Sequence, residues 1–397
     1  MERDATTSAR DDALDRAMRH SPFLRDAIAA RSDLVDLFLT EGAETAASAA
    51  MAAGGDSAAA ELRRRRLGLA LAVSLGDLAG EFALERVTAL LSSFADQAIG
   101  RAVEVAFEEL MPGAGPRGFA VIALGKLGSN ELNFSSDVDL LLLFDPLVLP
   151  RRPRDEPGEA AVRIGRRLVE LLQKRTADGY VARVDLRLRP SPEATPIVLS
   201  VNAAISYYES AAIGWERAAF VRARACAGDL ALGQSFLEAI EPFVWRRALD
   251  FGAFEEIRAI GQKVRDHYAS RQRFGPGYDL KRGRGGIREA EFFALARQLV
   301  HGGRDSRLRT AATLDAIAAL ERAGHMEPDL ARDLAQAYRR LRTIEHRVQM
   351  IDDQQTHLLP AAGDALAAVA QLHGFDGADQ LLDWLRPSVA RVGEVFD

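Results

Sequence analysis

The sequence predicts an α+β fold, mostly helical, with one small mixed sheet between an N-terminal helical segment and a C-terminal helical bundle. Three observations carry this expectation. Ala, Leu and Arg dominate while aromatic residues make up only 7% of the chain, and most apolar residues recur at helical spacing. Two runs are strand-sized: Phe119 to Leu124, continuously apolar, and Val138 to Phe144, with continuous Leu after Asp139. A third, Tyr180 to Leu188, alternates: Val184, Leu186 and Leu188 face one way, and Arg183, Asp185 and Arg187, with Arg189 beyond them, face the other.

At 397 residues and 48% hydrophobic composition, the chain is too long for one ordinary core. The expected units are a helical region over 1–110, a sheet-bearing domain over 111–230 and a helical bundle over 231–397. In the first, Leu34, Leu37 and Phe38 form one apolar stripe, Arg63 to Arg66 read as a solvated basic helix face, and Ala46 to Ala60 reads as a loose connection. Pro112-Gly113 and Gly115-Pro116 then mark a change of character. A proline- and arginine-rich loop, Pro146 to Pro157, leads into a helix with Ile164, Leu168, Leu171 and Leu172 on one face, closed near Gly179. From Asn202 the pattern is helical to the C-terminus, broken at Phe274 to Gly286, His301 to Gly303, Pro328 and Pro360.

Composition also excludes function classes. The single cysteine, Cys226, cannot form an internal disulfide, and the N-terminus lacks the features of a secretory signal, so a cytoplasmic protein is expected. No apolar run approaches the roughly 20 residues that span a bilayer. The formal net charge of −6 argues against a nucleic-acid binder that works by broad phosphate neutralisation.

The most informative segment is GKLGSNELNFSSDVDLLLLF, Gly125 to Phe144. Asp137 and Asp139, two residues apart on a strand, fall on one face at about 7 Å along the backbone. Their oxygens can then converge on divalent cations. Asp185, on the polar face of the third strand, offers another hard oxygen donor suited to Mg²⁺ or Mn²⁺, and no Cys/His cluster competes. Two ions about 4 Å apart would stabilise the attacking and leaving oxygens of a phosphoryl displacement. Alone, such an Asp pair often merely caps a strand. Gly128 and Ser129 in the preceding turn are candidate phosphate-binding positions. Arg187 and Arg189 read equally as partners of the carboxylates or as phosphate ligands. Lys281, Arg284 and Arg288 lie about a helix start and form a possible phosphate site, with an Arg288–Glu291 ion pair as the structural alternative. Trp215, Glu216 and Arg217 read as a brace or an adenine contact, and Glu345 with His346 as structural.

GKLGSNELNFSSDVDL, followed by RVDLRLRP and GWERAAFVRARA, resembles the glutamine synthetase adenylyltransferase family. SPFL at Ser21, DLKRGRGGIREAEF at Asp279 to Phe292 and EHRVQMIDDQQTHLLP at Glu345 to Pro360 extend the resemblance over nearly the whole chain. It implies a nucleotidyltransferase fold of polymerase-beta type followed by a helical domain. Family members carry two similar catalytic halves, and the residues after Gly285-Gly286, the HGGRD run at His301 and the DDQQTH run resemble the N-terminal, adenylyl-removing half. Departures are modest, with Ser129-Asn130 standing where glycines are common and Ala290 and Ala294 replacing larger aliphatic residues.

The resemblance implies removal of AMP from an adenylylated tyrosine of glutamine synthetase by metal-dependent phosphorolysis, with phosphate as nucleophile and ADP as product. Asp137 and Asp139 would hold both metals, and Asp185 one of them. The P-II signal protein would be a regulatory partner, with neither nucleic acid nor membrane involved. Two alternatives stay open: ATP-dependent adenylyl transfer to the same tyrosine, and a non-catalytic module that senses P-II.

Overall fold

The computed structural model of the chain describes residues 2–247, 251–266, 273–361 and 363–396. Helices α1 (Glu2–His20), α2 (Pro22–Ala30), α3 (Ser32–Glu41), α4 (Ala43–Met51), α5 (Ala58–Leu78) and α6 (Leu84–Leu110) precede the sheet. Pro22 opens α2 because Ser21 caps it: the Ser21 hydroxyl accepts from the Leu24 amide at 2.9 Å. That hydroxyl also donates to the Met350 carbonyl at 2.6 Å, tying the start of the chain to a helix more than 300 residues later.

The sheet is built from β1 (Phe119–Ala123), β2 (Asp137–Phe144), β3 (Arg183–Asp185), β4 (Val198–Ser200) and β5 (Arg224–Gly228). Between them lie α7 (Gly125–Gly128), α8 (Pro157–Gln173), α9 (Val201–Ser210) and α10 (Gly214–Phe220). β1 is antiparallel to both β2 and β5, while β3 and β4 run parallel to successive stretches of β2. The sheet is therefore mixed, with order β3-β2-β1-β5 and β4 beside the far end of β2.

Its two faces see different cores. Phe119, Val121, Ala123, Val138, Leu140 and Leu142 join the apolar core of α1 to α6 and α8. Ala120, Ile122, Leu141 and Leu143 face a second core made with Tyr208, Phe220 and Phe236. Burial on both sides explains the uninterrupted Leu140 to Leu143 run, since a strand with one wet face would alternate. Each of these leucines, fully buried, contributes roughly 1.5–3 kcal/mol through removal from water.

After the sheet come α11 (Leu230–Val244), α12 (Phe251–Asp266), α13 (Ile287–His301), α14 (Thr313–Arg322), α15 (Pro328–Asp352), α16 (Asp364–His373) and α17 (Ala378–Phe396). A third core, with Leu280, Ile287, Leu320, Leu341, Leu366 and Leu385, holds α13 to α17 together. No helix among the described residues is long and apolar enough to cross a membrane.

Three local expectations are corrected. The alanine-rich stretch read as a loose connection is a connection only over residues 52–57: its start belongs to helix α4, whose Ala46, Ala47 and Ala50 are buried against α5, and its end opens α5. The strand expected over Tyr180 to Leu188 is paired only from Arg183 to Asp185, because the Asp185 carboxylate accepts from the Arg187 amide at 2.8 Å and turns the chain. The helical reading from Asn202 onward missed β5, whose Arg-Ala-Cys-Ala-Gly sequence has little strand propensity; pairing with β1 imposes its conformation.

Candidate active site

Asp137 and Asp139 open β2, and between them Val138 is 1% exposed and anchors the strand. The parallel register sets Asp137 opposite Arg183, Val138 opposite Val184 and Asp139 opposite Asp185. Asp139 and Asp185 are thus cross-strand neighbours on the face that also carries Asp137.

The turn after β1 closes over this face. Gly125 has φ +55°, and a Cβ there would lie 2.5 Å from the Asp139 Oδ2, so a bare backbone is what lets the turn approach the carboxylate. The Leu124 amide donates to the Asp139 carbonyl at 2.9 Å and fixes turn and strand together. Gly128 serves packing: its Cβ would fall 1.7 Å from the Arg222 carbonyl oxygen. The Ser129 hydroxyl is buried and turned back onto the carbonyls of Gly125 and Lys126, both at 3.3 Å.

Electrostatics separates the three aspartates. Burial pushes Asp139 up to about 6, and the nearby Asp185 and Asp137 charges add to the rise, while Lys281 and Arg187 oppose it. Asp185 is lowered by hydrogen bonds from Arg187, whose guanidinium reaches both carboxylate oxygens. Asp137 accepts from the Arg183 Nε at 2.6 Å. The Asp139 side chain has neither hydrogen bond nor ion pair among the described residues. With Asp137 and Asp185 each engaged by an arginine, no group of three ligating side chains is gathered tightly enough to hold a metal among the described residues. The donor chemistry nevertheless fits a hard divalent cation: three carboxylates share one face, and the central one is desolvated and has no direct ion pair among the described residues.

The remaining sequence-predicted residues divide. Arg187 is exposed beside Asp185 and acts on Asp137 and Asp139 as well. Arg189 points into its own loop, donating to the carbonyls of Leu186, Pro192 and Thr195. Lys281 lies close enough to act on Asp139. Arg284 packs over Gly393 of α17, and exposed Arg288 starts α13. The first amides of α13 are already used, Ile287 by the Leu280 carbonyl at 2.8 Å and Arg288 by that of Lys281 at 3.0 Å. Glu291 pairs with Arg222 rather than Arg288, at 3.2 Å. Glu289 accepts from the Gly285 amide, and Glu216 from Tyr207 and the Ile213 amide, so both brace the fold.

Sequence reasoning did not assign a role to Lys126. Its ammonium lies 3.3 Å from the Glu345 carboxylate of α15, and burial lowers it to about 8 despite that partner. Around this pair, Arg342 donates to the Glu131 carbonyl and Asn133, Tyr338 donates to Glu131, and Arg222 meets Glu291. His346, beside them, is fully buried and held neutral by burial and by Arg342. Nothing in a linear sequence signals this network, because its members are up to 219 positions apart.

A mixed sheet bearing paired aspartates on its second strand, embedded in helices, defines an α+β nucleotidyltransferase-like fold. Residues 5–239 match the family described as Glutamate-ammonia ligase adenylyltransferase, and residues 258–397 match that described as GlnD PII-uridylyltransferase. The chain belongs to the glutamate-ammonia ligase adenylyltransferase family. It is similar to proteins named bifunctional glutamine synthetase adenylyltransferase/adenylyl-removing enzyme. That of Caulobacter vibrioides is 45% identical over 84% of this chain and 35% of its own length. Those of Xanthobacter autotrophicus and Rhizobium meliloti are 42% and 38% identical over 90% and 97% of this chain. The chain spans 35% to 42% of the length of these relatives.

Proposed function

We propose that this chain removes AMP from an adenylylated tyrosine of glutamine synthetase by phosphorolysis, as the adenylyl-removing half of a two-activity enzyme under P-II control. The observation that carries the reading is the in-register face of Asp137, Asp139 and Asp185, with a glycine turn over it and Lys281 beside it.

Asp139 and Asp137 would hold Mg²⁺ or Mn²⁺, with Asp185 completing the set for a second ion; the bound cations would supply charge neutralisation at the phosphorus being transferred. Lys281 and Arg187 are the cations that act on Asp139, suited to receive inorganic phosphate. One phosphate oxygen attacks the phosphorus of adenylyl-tyrosine, the bond from that phosphorus to the tyrosine oxygen breaks, and the phenolate leaves and takes up a proton. The products are ADP and unmodified tyrosine. Phosphate is already anionic and a phenol of pKa near 10 is a fair leaving group, so positioning and charge suffice without a strong general base. The Gly125 approach to Asp139 supports this division of labour, since it brings backbone close to the reacting groups without a side chain in the way.

The test is to incubate the chain with adenylylated glutamine synthetase and Mg²⁺ or Mn²⁺, with and without phosphate, and to follow nucleotides. Phosphate-dependent ADP release that disappears in Asp137→Asn and Asp139→Asn supports the reading. AMP release would make water the nucleophile. No release, with ATP-driven labelling of unmodified synthetase, would reverse the direction; partner binding without turnover of any kind would leave a sensing module.

A further inference from the structure

The side chain that touches Asp137 is itself held from behind. Arg183 donates through Nε to Asp137 at 2.6 Å, through one terminal nitrogen to the Tyr180 hydroxyl at 2.6 Å and through the other to the Ser135 hydroxyl at 3.2 Å. Tyr180, 6% exposed, is the centre of this arrangement. Its hydroxyl also accepts from Arg66 of α5 at 2.9 Å and donates to Asp353 at 3.3 Å. A phenol has one proton and two lone pairs, so every hydrogen-bonding position of Tyr180 is filled. Its ring carries the guanidinium groups of Arg66 at 4.1 Å and Arg183 at 5.4 Å. Asp353 pairs with Arg66 at 2.7 Å, and its carbonyl accepts from Ser135 at 3.1 Å.

We propose that Arg183, aimed by Tyr180, is a positioning residue for Asp137 that occupies Oδ1 and leaves Oδ2 to the metal. The proposal rests on the divalent-cation reading of the three aspartates. Arg183 is no incidental plug for a carboxylate lacking its cation, because its two other donor groups and its stacking are taken up by Tyr180 and Ser135, which lie outside the carboxylate set. Asp137 would therefore be a one-oxygen ligand of fixed direction. The hold on it runs through Tyr180 to α5 and to the end of α15, so helices that precede and follow the sheet in the chain share in setting one ligand.

The experiment measures Mn²⁺ binding to the full chain by electron paramagnetic resonance, with no substrate present, so that turnover is not the readout. Tyr180→Phe keeps the ring and all charges and removes only the hydroxyl. Arg183→Lys keeps the charge near Asp137 but loses the three-point fork, and it leaves the buried ring alone should Tyr180→Phe fold poorly. Asp139→Asn controls for the metal site, and thermal midpoints separate loss of position from loss of fold. The expected result is a rise of roughly 10-fold in the Mn²⁺ dissociation constant for both variants, the scale of losing a group that orients a ligand, in protein whose thermal midpoint stays above the assay temperature. Binding within twofold of the parent in folded Arg183→Lys, while Asp139→Asn abolishes it, overturns the positioning role and leaves the metal site standing. Absence of saturable Mn²⁺ binding by the parent chain, or binding unaffected by Asp139→Asn, overturns the metal reading and this proposal with it.

Discussion

Asp139 stands directly across the parallel β2–β3 pair from Asp185, yet only Asp185 has a guanidinium of its own. The pKa of Asp139 accordingly rises from an ordinary 3.8 to about 6, first through burial and then through its neighbour's charge. An acid whose folded pKa is raised binds more protons folded than unfolded between those two values, so stability falls as pH rises through that window and stays lowered above it. At about 1.4 kcal/mol per pKa unit, the cost at neutral pH is at most about 3 kcal/mol. Asp139→Asn is therefore expected to raise the thermal midpoint by a few degrees near pH 7.5 in the presence of a chelator, and to abolish activity. Divalent cation should raise the midpoint of the parent chain and not of the variant, and that response should fade below about pH 6 as Asp139 takes up its proton. A lower midpoint for Asp139→Asn in chelator would refute the electrostatic account.

Gly125 and Gly128 sit three residues apart and should fail differently when replaced by alanine. At Gly128 the added methyl meets the Arg222 backbone carbonyl, which cannot step aside without moving β5 from β1. Gly128→Ala should cost about 3 kcal/mol, at the upper end for overpacking, in denaturant unfolding. At Gly125 the methyl meets the carboxylate of Asp139, the free end of a side chain, at a φ of +55°. The backbone penalty there is about 1–2 kcal/mol, but displacement of the carboxylate by about 1 Å should cost roughly 100-fold in turnover. The two variants are told apart by measuring both quantities; equal stability losses with equal activity would contradict the distinct roles.

The sequence made the central strands legible because both faces of β2 are buried, which makes Leu140 to Phe144 a continuous apolar run, and because Asp137 and Asp139 stand at the start of that strand. Asp185 was legible through alternation with Val184, although the strand proved far shorter than its pattern. Arg189 illustrates what pattern cannot decide. It continues the basic face on paper, but the chain turns at Asp185 and carries it into contacts with its own loop. Tyr180 and Lys126 were illegible for another reason. Each acts through partners more than 100 positions away, Arg66 and Asp353 for one and Glu345 for the other, and only the fold brings those charges together.

Ser21 offers a small, clean test of the link between the chain's start and α15. Its hydroxyl both caps α2 and donates to the Met350 carbonyl. Ser21→Ala removes an N-cap worth about 1 kcal/mol and leaves a buried carbonyl short of a donor, so a loss of about 2 kcal/mol is expected in urea unfolding. A loss below about 0.5 kcal/mol would mean that the cap and the long-range bond add nothing to the folded state.

The Lys126–Glu345 pair should respond asymmetrically to loss of either partner. Glu345 is pushed up by burial but pulled below its ordinary range by Lys126 and then Arg342, so it is ionised at neutral pH and compensates two cations. Glu345→Gln strips both of that compensation in a buried site, and should cost about 3–5 kcal/mol. Lys126→Met leaves Glu345 still paired with Arg342 at 3.3 Å, and the loss should stay near 2 kcal/mol. Lysine at this site also sets a direction with pH. Its folded pKa of about 8 lies below the ordinary 10.5, so from about pH 8 upward the unfolded chain holds the proton more tightly and this group's contribution to stability rises with pH. Comparing the parent chain with Lys126→Met in denaturant titrations from about pH 7 to 10 isolates that contribution. A difference between the two that is flat across the range would show that Lys126 does not titrate early, and that the pair is more open to water than its burial implies.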